Sequence, residues 1–77
     1  MTNLEQYEQV FIKAFSLDKV PEGLKRGGVL AWDSVGHMSL ISEIEEAFDI
    51  MLDTEDIIGF TSYEGGKEIL KKYGMEI

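Results

Sequence analysis

The chain has 77 residues, no cysteine, one histidine and a formal net charge of −8. Because so short a chain has apolar surface for one small core, we expect a single domain over residues 1–77, without disulfides or a metal site. The negative charge argues against nucleic-acid binding, which needs clustered Lys and Arg. The start, MTNLEQYEQV, is too polar for a signal sequence, and no apolar run approaches the roughly 20 residues that cross a bilayer. We therefore expect a monomeric cytoplasmic protein with no membrane span.

The first predicted element is a helix from about Asn3 to Leu17. Apolar residues recur there at helical spacing, and Thr2 with Glu5 has the form of a capping box. The stretch from Asp18 to Trp32 contains one proline and three glycines and shows no sustained period, which predicts a long ordered loop. A loop of about 15 residues is unusual in so small a domain and indicates a functional role.

The second predicted helix begins at Asp33 or Ser34, either of which can cap it, and continues to about Met51. An advance of about 100° per residue sorts its side chains into two faces. The core face is predicted to hold Leu40, Ile41, Ile44, Ala47, Phe48 and Met51. The opposite face holds Ser39, Ser42, Glu45, Glu46 and Asp49, together with Val35 and Met38. These two outward apolar residues are either ordinary surface residues or the centre of a docking surface oriented by the acids.

Two further helices are predicted after the second. Residues 54–59 fit a short helix, and Thr61 with Glu64 offers a capping box before a last helix that runs to about Tyr73. Two adjacent glycines in this last helix each cost roughly 1 kcal/mol relative to alanine unless close packing compensates. With no strand signal along the chain, the predicted fold is all-α, a small bundle of three main helices plus one short helix.

The charges are unevenly distributed. No Lys or Arg occurs from Gly27 to Gly66, whereas eight acidic residues lie between Asp33 and Asp56. They are Asp33, Glu43, Glu45, Glu46, Asp49, Asp53, Glu55 and Asp56. The pattern indicates either a solvated acidic face or a surface that docks basic partners.

Asp33, Ser34 and His37 have the residue types of a catalytic triad, but the pattern does not favour one. The three lie within five residues, and no G-x-S-x-G elbow surrounds the serine. His37 falls on the inner half of the second helix, where a packed histidine is favoured over a general base. We therefore expect no enzymatic activity of the chain itself.

The run WDSVGHM, from Trp32 to Met38, followed by SLISEIEEAFDI, resembles the attachment site and second helix of acyl carrier proteins. The likeness covers nearly the whole chain, with the same order of helices, long loop, Asp-Ser pair and short acidic third helix. The resemblance implies that Ser34 carries 4′-phosphopantetheine from coenzyme A. It implies that Asp33 helps a phosphopantetheinyl transferase and its metal engage the site.

The resemblance also implies partner enzymes with basic docking patches. The residues expected to meet them are Val35, Met38, Ser42, Glu45, Glu46, Asp49, Glu55 and Asp56. A further set is expected to line an apolar seam that could admit an acyl chain if the helices separate. This set is Leu40, Ile44, Ile57, Ile58, Phe60 and Ile69.

Two departures from the family pattern bear on the pathway. Val35 replaces the usual leucine, and Gly36 and Ser39 stand where carriers of fatty acid synthesis commonly have acids. The pattern looks more like the specialised carriers of lipid, polyketide-like or polysaccharide pathways. An aminoacyl or peptidyl carrier remains open, although peptidyl carriers more often show Gly-Gly-x-Ser. An unmodified acidic helical module that binds a partner through Val35 and Met38 is the alternative from another class.

Overall fold

Residues 2–77, which the computed structural model describes, form four α-helices joined by loops. In chain order these are α1 (Asn3–Phe15), α2 (Ser34–Phe48), α3 (Thr54–Gly59) and α4 (Tyr63–Lys71). Extended pairing within this range is limited to an isolated antiparallel bridge between Lys25 and Ser62. The predicted fold class, a small all-α bundle of three main helices and one short helix, is confirmed. None of the four helices of residues 2–77 has the length and apolar character needed to cross a membrane.

The first two helices end earlier than the periodicity predicts. Helix α1 stops before the predicted Leu17 because Ser16 adopts a left-handed conformation, with φ of 53°. Helix α2 stops before the predicted Met51 because Asp49 does the same, with φ of 54°. Met51 therefore lies outside the helix and is 83% exposed, so its assignment to the core is wrong. Neither stop falls on glycine, the usual sequence signal for such an end.

The starts of the helices show which side chains act as caps. The capping box of α1 is present, since Thr2 Oγ1 accepts from the Glu5 amide and Glu5 Oε1 accepts from the Thr2 amide. At α4 the cap is Ser62 and not the predicted Thr61, because Ser62 Oγ accepts from the Gly65 amide at 2.9 Å. The cap thus lies one residue later than the sequence pattern predicts.

The core is built around aromatic rings. Its buried hydrophobic residues are Tyr7, Val10, Phe11, Phe15, Leu24, Trp32, Leu40, Ile41, Ile44, Leu52, Phe60 and Leu70. Phe11 makes edge contacts with Tyr7 and Trp32, at centroid distances of 4.9 and 5.6 Å, and Trp32 also stacks on Phe15 at 5.2 Å. Such pairs stabilise beyond their buried area by about 0.5–1.5 kcal/mol each. The end of the long loop is thereby held against α1.

Helix α4 approaches α1 closely at Gly66, which is buried. A Cβ atom at this position would overlap the Phe60 ring and the Tyr7 hydroxyl. That hydroxyl donates to the Tyr63 carbonyl oxygen at 2.6 Å and so joins the two helices. Burial raises the pKa of the Tyr7 phenol, which keeps it protonated as a donor. The close approach is the packing that the glycine in this helix allows.

Helix α3 is fixed to the C-terminal turn through a polar cluster. Asp56 accepts from Lys72 Nζ at 2.7 Å and from the Tyr73 hydroxyl at 2.6 Å. The same hydroxyl accepts from the Asp53 amide at 2.9 Å, at a helix start where no side chain caps. Asp56 is only 8% exposed. Its side chain is therefore engaged in holding the fold together and does not project toward solvent as a surface acid would.

Replacing Asp56 by Asn is expected to lower the free energy of unfolding at neutral pH and to flatten its decline in acid. Hydrogen bonds from Lys72 and Tyr73 hold the pKa of the Asp56 carboxyl below its ordinary value. A depressed pKa in the folded state contributes stability above the unfolded value of about 4, and this is lost as pH falls through the folded value. Urea unfolding between neutral and acid pH measures both effects.

The matched control for this prediction is Glu55→Gln, which removes the charge of an exposed acid on the same helix. It should retain the acid decline of the wild type. Parallel pH profiles for wild type and Asp56→Asn would contradict the structural role of this carboxylate.

Candidate functional site

In the Asp-Ser pair at the start of α2, the first residue caps the helix and the hydroxyl of the second lies outside the cap. Asp33 is the N-cap, with its Oδ1 accepting from the Gly36 amide at 2.8 Å. Ser34 is the first helical residue, is exposed, and takes no part in the cap. Of the two capping candidates that the sequence leaves open, the structure selects Asp33. The Ser34 hydroxyl is consequently available for another purpose.

The Ser34 side chain accepts a hydrogen bond from a residue of the long loop. Arg26 Nη2 donates to Ser34 Oγ at 3.3 Å. Both residues line an open concavity of about 410 Å³, together with Leu30 and Trp32. A group attached to Oγ would extend from this concavity into solvent. The exposure of the hydroxyl and the space beside it fit a covalently attached arm such as phosphopantetheine.

Two buried rings immediately around the pair fix its position. Trp32 Nε1 donates to His37 Nδ1 at 2.9 Å, and His37 Nε2 lies 2.7 Å from the Ile57 carbonyl oxygen. Because an indole nitrogen only donates and a carbonyl oxygen only accepts, His37 is the neutral tautomer protonated on Nε2. His37 is 4% exposed, so the prediction of a packed histidine is confirmed. Its ring ties the loop, α2 and α3 together and is not directed toward the Ser34 hydroxyl.

The loop also touches the first turn of α2 at Gly36. A Cβ atom at this position would overlap the backbone carbonyl oxygen of Ala31. Only glycine therefore allows the loop to lie this close to the helix. Gly36 thus permits a tight junction between the loop and the first turn of α2.

The outward face of α2 carries the predicted apolar residues. Val35 is 77% exposed and Met38 is 54% exposed, as predicted for this face. They line an open groove of about 540 Å³, which we call the outer groove, with Ser34, Ser39, Ser42 and Glu43. Leu30, on the loop, is 99% exposed and was not predicted as a surface residue. No periodic pattern in the loop could have placed it next to the site.

The acids predicted to bind partners fall into two groups. Glu46, Asp49 and Glu55 are exposed. Glu45 is half-buried, and its Oε2 accepts from the Leu52 amide at 2.9 Å, which closes the turn after α2. Asp56 is buried in its cluster with Lys72 and Tyr73. Glu45 and Asp56 therefore have structural roles that the charge pattern alone does not reveal.

Not all residues predicted to line the acyl seam are buried. Leu40, Ile44 and Phe60 are fully buried, and Ile57 and Ile69 are half-buried. Ile58 differs from the prediction, since it is 68% exposed on α3. The short helix presents Ile57 inward, and the next residue necessarily turns away by about 100°.

Asp33→Ala is expected to lower the free energy of unfolding by about 1 kcal/mol, because it leaves the Gly36 amide without its capping acceptor. Asp33→Asn should cost only a few tenths, since asparagine caps about as well as aspartate. Urea unfolding of both variants measures the difference. Equal losses would contradict the capping role.

Comparisons of the chain with models of known protein families, with curated proteins and with solved structures found no match.

Proposed function

We propose that the chain is a carrier protein that bears 4′-phosphopantetheine on Ser34 and presents acyl groups to partner enzymes of a specialised biosynthetic pathway. The observation that carries this proposal is that Asp33 caps α2 while the neighbouring Ser34 hydroxyl is exposed and free of the cap. A first-turn residue held between a packed loop and a helix is a well-positioned acceptor for another enzyme.

The chemistry of attachment needs little from the chain itself. The Ser34 oxygen bonds to the phosphorus that bears pantetheine in coenzyme A, the phosphoanhydride bond breaks, and 3′,5′-ADP leaves. The hydroxyl proton passes to a base of the phosphopantetheinyl transferase. No base of this chain is required, in keeping with the burial of His37. Once attached, the arm would supply the thiol that holds an acyl group as a thioester in a chain without cysteine.

The surface around Ser34 is suited to binding enzymes that act on carrier proteins. The outer groove offers exposed apolar side chains at Val35 and Met38, and exposed acids follow along the same helix and on α3. An apolar centre supplies burial, while charges at the rim orient the partner and speed its approach. Partner enzymes with basic patches fit this surface.

The proposal is tested by incubating the purified chain with coenzyme A, magnesium and a transferase of broad specificity. Intact mass spectrometry should show one added arm, and fragmentation should place it on the peptide that contains Ser34. An unchanged mass with several transferases that are active on other carriers would overturn the proposal.

Charge on α2 should control how fast the transferase acts. Glu46→Lys is expected to slow loading about two- to threefold at low ionic strength, since reversing an exposed charge weakens the attraction of a basic partner. The difference should disappear at high salt, where charges are screened over a few ångströms. Initial loading rates measured by mass spectrometry test this.

Glu8→Lys is the matched control, because Glu8 is an exposed acid on α1 and the change in net charge is the same. Its loading rate should stay close to that of the wild type. Equal slowing by both variants would show that net charge alone matters. Glu46 suits this experiment better than Glu45 or Asp49. Glu45 accepts from the Leu52 amide, and Asp49 is the left-handed C-cap of α2, so replacing either would also alter the end of the helix.

The alternative of an unmodified partner-binding module rests on the same exposed residues, Val35 and Met38. It predicts partner binding with no change in mass. The loading experiment therefore distinguishes the two functions.

A further inference from the structure

We propose that Arg26 binds the phosphate that joins the arm to Ser34, an inference that rests on the proposed function. The guanidinium group already lies at the attachment point, with Nη2 at 3.3 Å from Ser34 Oγ. The non-bridging oxygens of a phosphodiester lie one bond beyond the phosphorus attached to Oγ. A small rotation of the Arg26 side chain therefore reaches them.

The acceptor improves when the arm is attached. In the free chain Arg26 donates to a neutral hydroxyl, whereas a phosphodiester offers anionic oxygens. Arg26 is charged in both states, but only the phosphate carries the opposite charge, so Coulomb attraction adds to the hydrogen bond once the arm is attached. The planar guanidinium can also contact two oxygens at once, which a lysine ammonium cannot do with the same geometry. Arg26 is therefore expected to transfer its hydrogen bond from Oγ to the phosphate.

The charge of Arg26 is available for this role. The four ion pairs within residues 2–77 all use lysines, namely Lys13, Lys67, Lys71 and Lys72. Asp33, the acid beside Ser34, directs Oδ1 to the Gly36 amide. A phosphate placed next to Asp33 on a chain of net charge −8 meets repulsion, and Arg26 is the cation positioned to offset it.

The backbone of the loop holds Arg26 in place. Its amide donates to the Thr61 carbonyl oxygen at 2.9 Å, and the preceding residue, Lys25, forms the isolated bridge with Ser62. On the other side the Gly27 amide donates to the Trp32 carbonyl oxygen at 3.2 Å. Arg26 thus lies on a segment that is hydrogen-bonded both to the residues preceding α4 and to Trp32, the residue before the Asp-Ser pair. Such support is what a preorganised binding residue requires.

The experiment compares wild type, Arg26→Gln, Arg26→Lys and Lys25→Gln, each before and after loading with coenzyme A and transferase. Lys25→Gln is the matched control, since it removes the same charge from the adjacent exposed residue, and Lys25 does not line the concavity beside Ser34. Intact mass first establishes that the arm is attached. The readouts are the NMR signal of the Arg26 Nε–H group and the ³¹P chemical shift of the phosphodiester.

Attachment of the arm to the wild type should move the Arg26 Nε–H signal. The ³¹P signal of the loaded Arg26→Gln variant should differ from that of the wild type, with Arg26→Lys between them and Lys25→Gln matching the wild type. Salt at about 1 M should bring the wild-type ³¹P signal toward that of Arg26→Gln, because the screening length then falls to about 3 Å.

Two results would overturn the inference alone, both with the arm attached. One is coincident ³¹P signals for wild type and Arg26→Gln at low salt, and the other is an equal displacement in Lys25→Gln. A wild-type chain that gains no arm would overturn the proposed function together with this inference. Intact mass therefore separates the two failures.

Discussion

Ser34→Ala is expected to abolish the mass increase on incubation with coenzyme A and transferase, while the fold stays intact. The loss should be complete, because the serine oxygen is the atom that bonds to phosphorus. The hydroxyl is exposed and its contact is with Arg26, also exposed, so removing it leaves no buried polar group without a partner. The free energy of unfolding should change by no more than about 0.5 kcal/mol.

The controls for this prediction lie on the same helix. Ser39 and Ser42 are exposed serines that line the outer groove with Ser34. Their alanine variants should gain one arm each, as the wild type does. Modification that persists in Ser34→Ala, or that is lost equally in Ser42→Ala, would contradict the assignment of the attachment site.

Local signals in the sequence predict much of the fold. The capping box at Thr2 and Glu5 and the spacing of apolar residues locate α1 and α2, and residues 54–59 form α3 as predicted. The C-terminal ends of α1 and α2 are harder to predict. Ser16 and Asp49 end these helices in left-handed conformations. Such conformations are uncommon for residues other than glycine, so the sequence gives no clear signal for either end.

The candidate site shows where local patterns fail. The exposure of Val35 and Met38 follows from helical periodicity, since both belong to one regular element. The engagement of Asp56 depends on Lys72 and Tyr73, which are 16 and 17 residues away. This pairing exists only once α3 and the C-terminal turn have come together. The distribution of acids along the chain therefore predicts, wrongly, that Asp56 is exposed.

Arg26 was missed for the same reason. It lies in a stretch without periodicity, and its position beside Ser34 depends on pairing of the loop with residues 61–62. The charge pattern distinguishes only the region from Gly27 onward, which lacks Lys and Arg up to Gly66. Arg26 lies immediately before this region, and tertiary structure brings its side chain next to Ser34.

Gly66→Ala is expected to lower the free energy of unfolding by about 1–2 kcal/mol. Alanine favours the helix by roughly 1 kcal/mol relative to glycine, but overpacking of a filled core costs about 1–3 kcal/mol, and overlap with two buried side chains at once places this cost at about 2–3 kcal/mol. The added Cβ would overlap the Phe60 ring and the Tyr7 hydroxyl, which are both buried and cannot easily move. Thermal unfolding should show a decrease in Tm of about 4–16 °C for a domain of this size.

Gly59→Ala is the matched control, because the same added methyl group at the end of α3 meets nothing within 4 Å. Its stability should equal or slightly exceed that of the wild type. A double-mutant cycle with Tyr7→Phe then tests the cause, since removing the Tyr7 hydroxyl relieves one of the two overlaps at Gly66. Gly66→Ala should cost less in the Tyr7→Phe background than in the wild type. Strict additivity of the two changes would show that the close approach of α4 to Tyr7 does not limit the residue at this position.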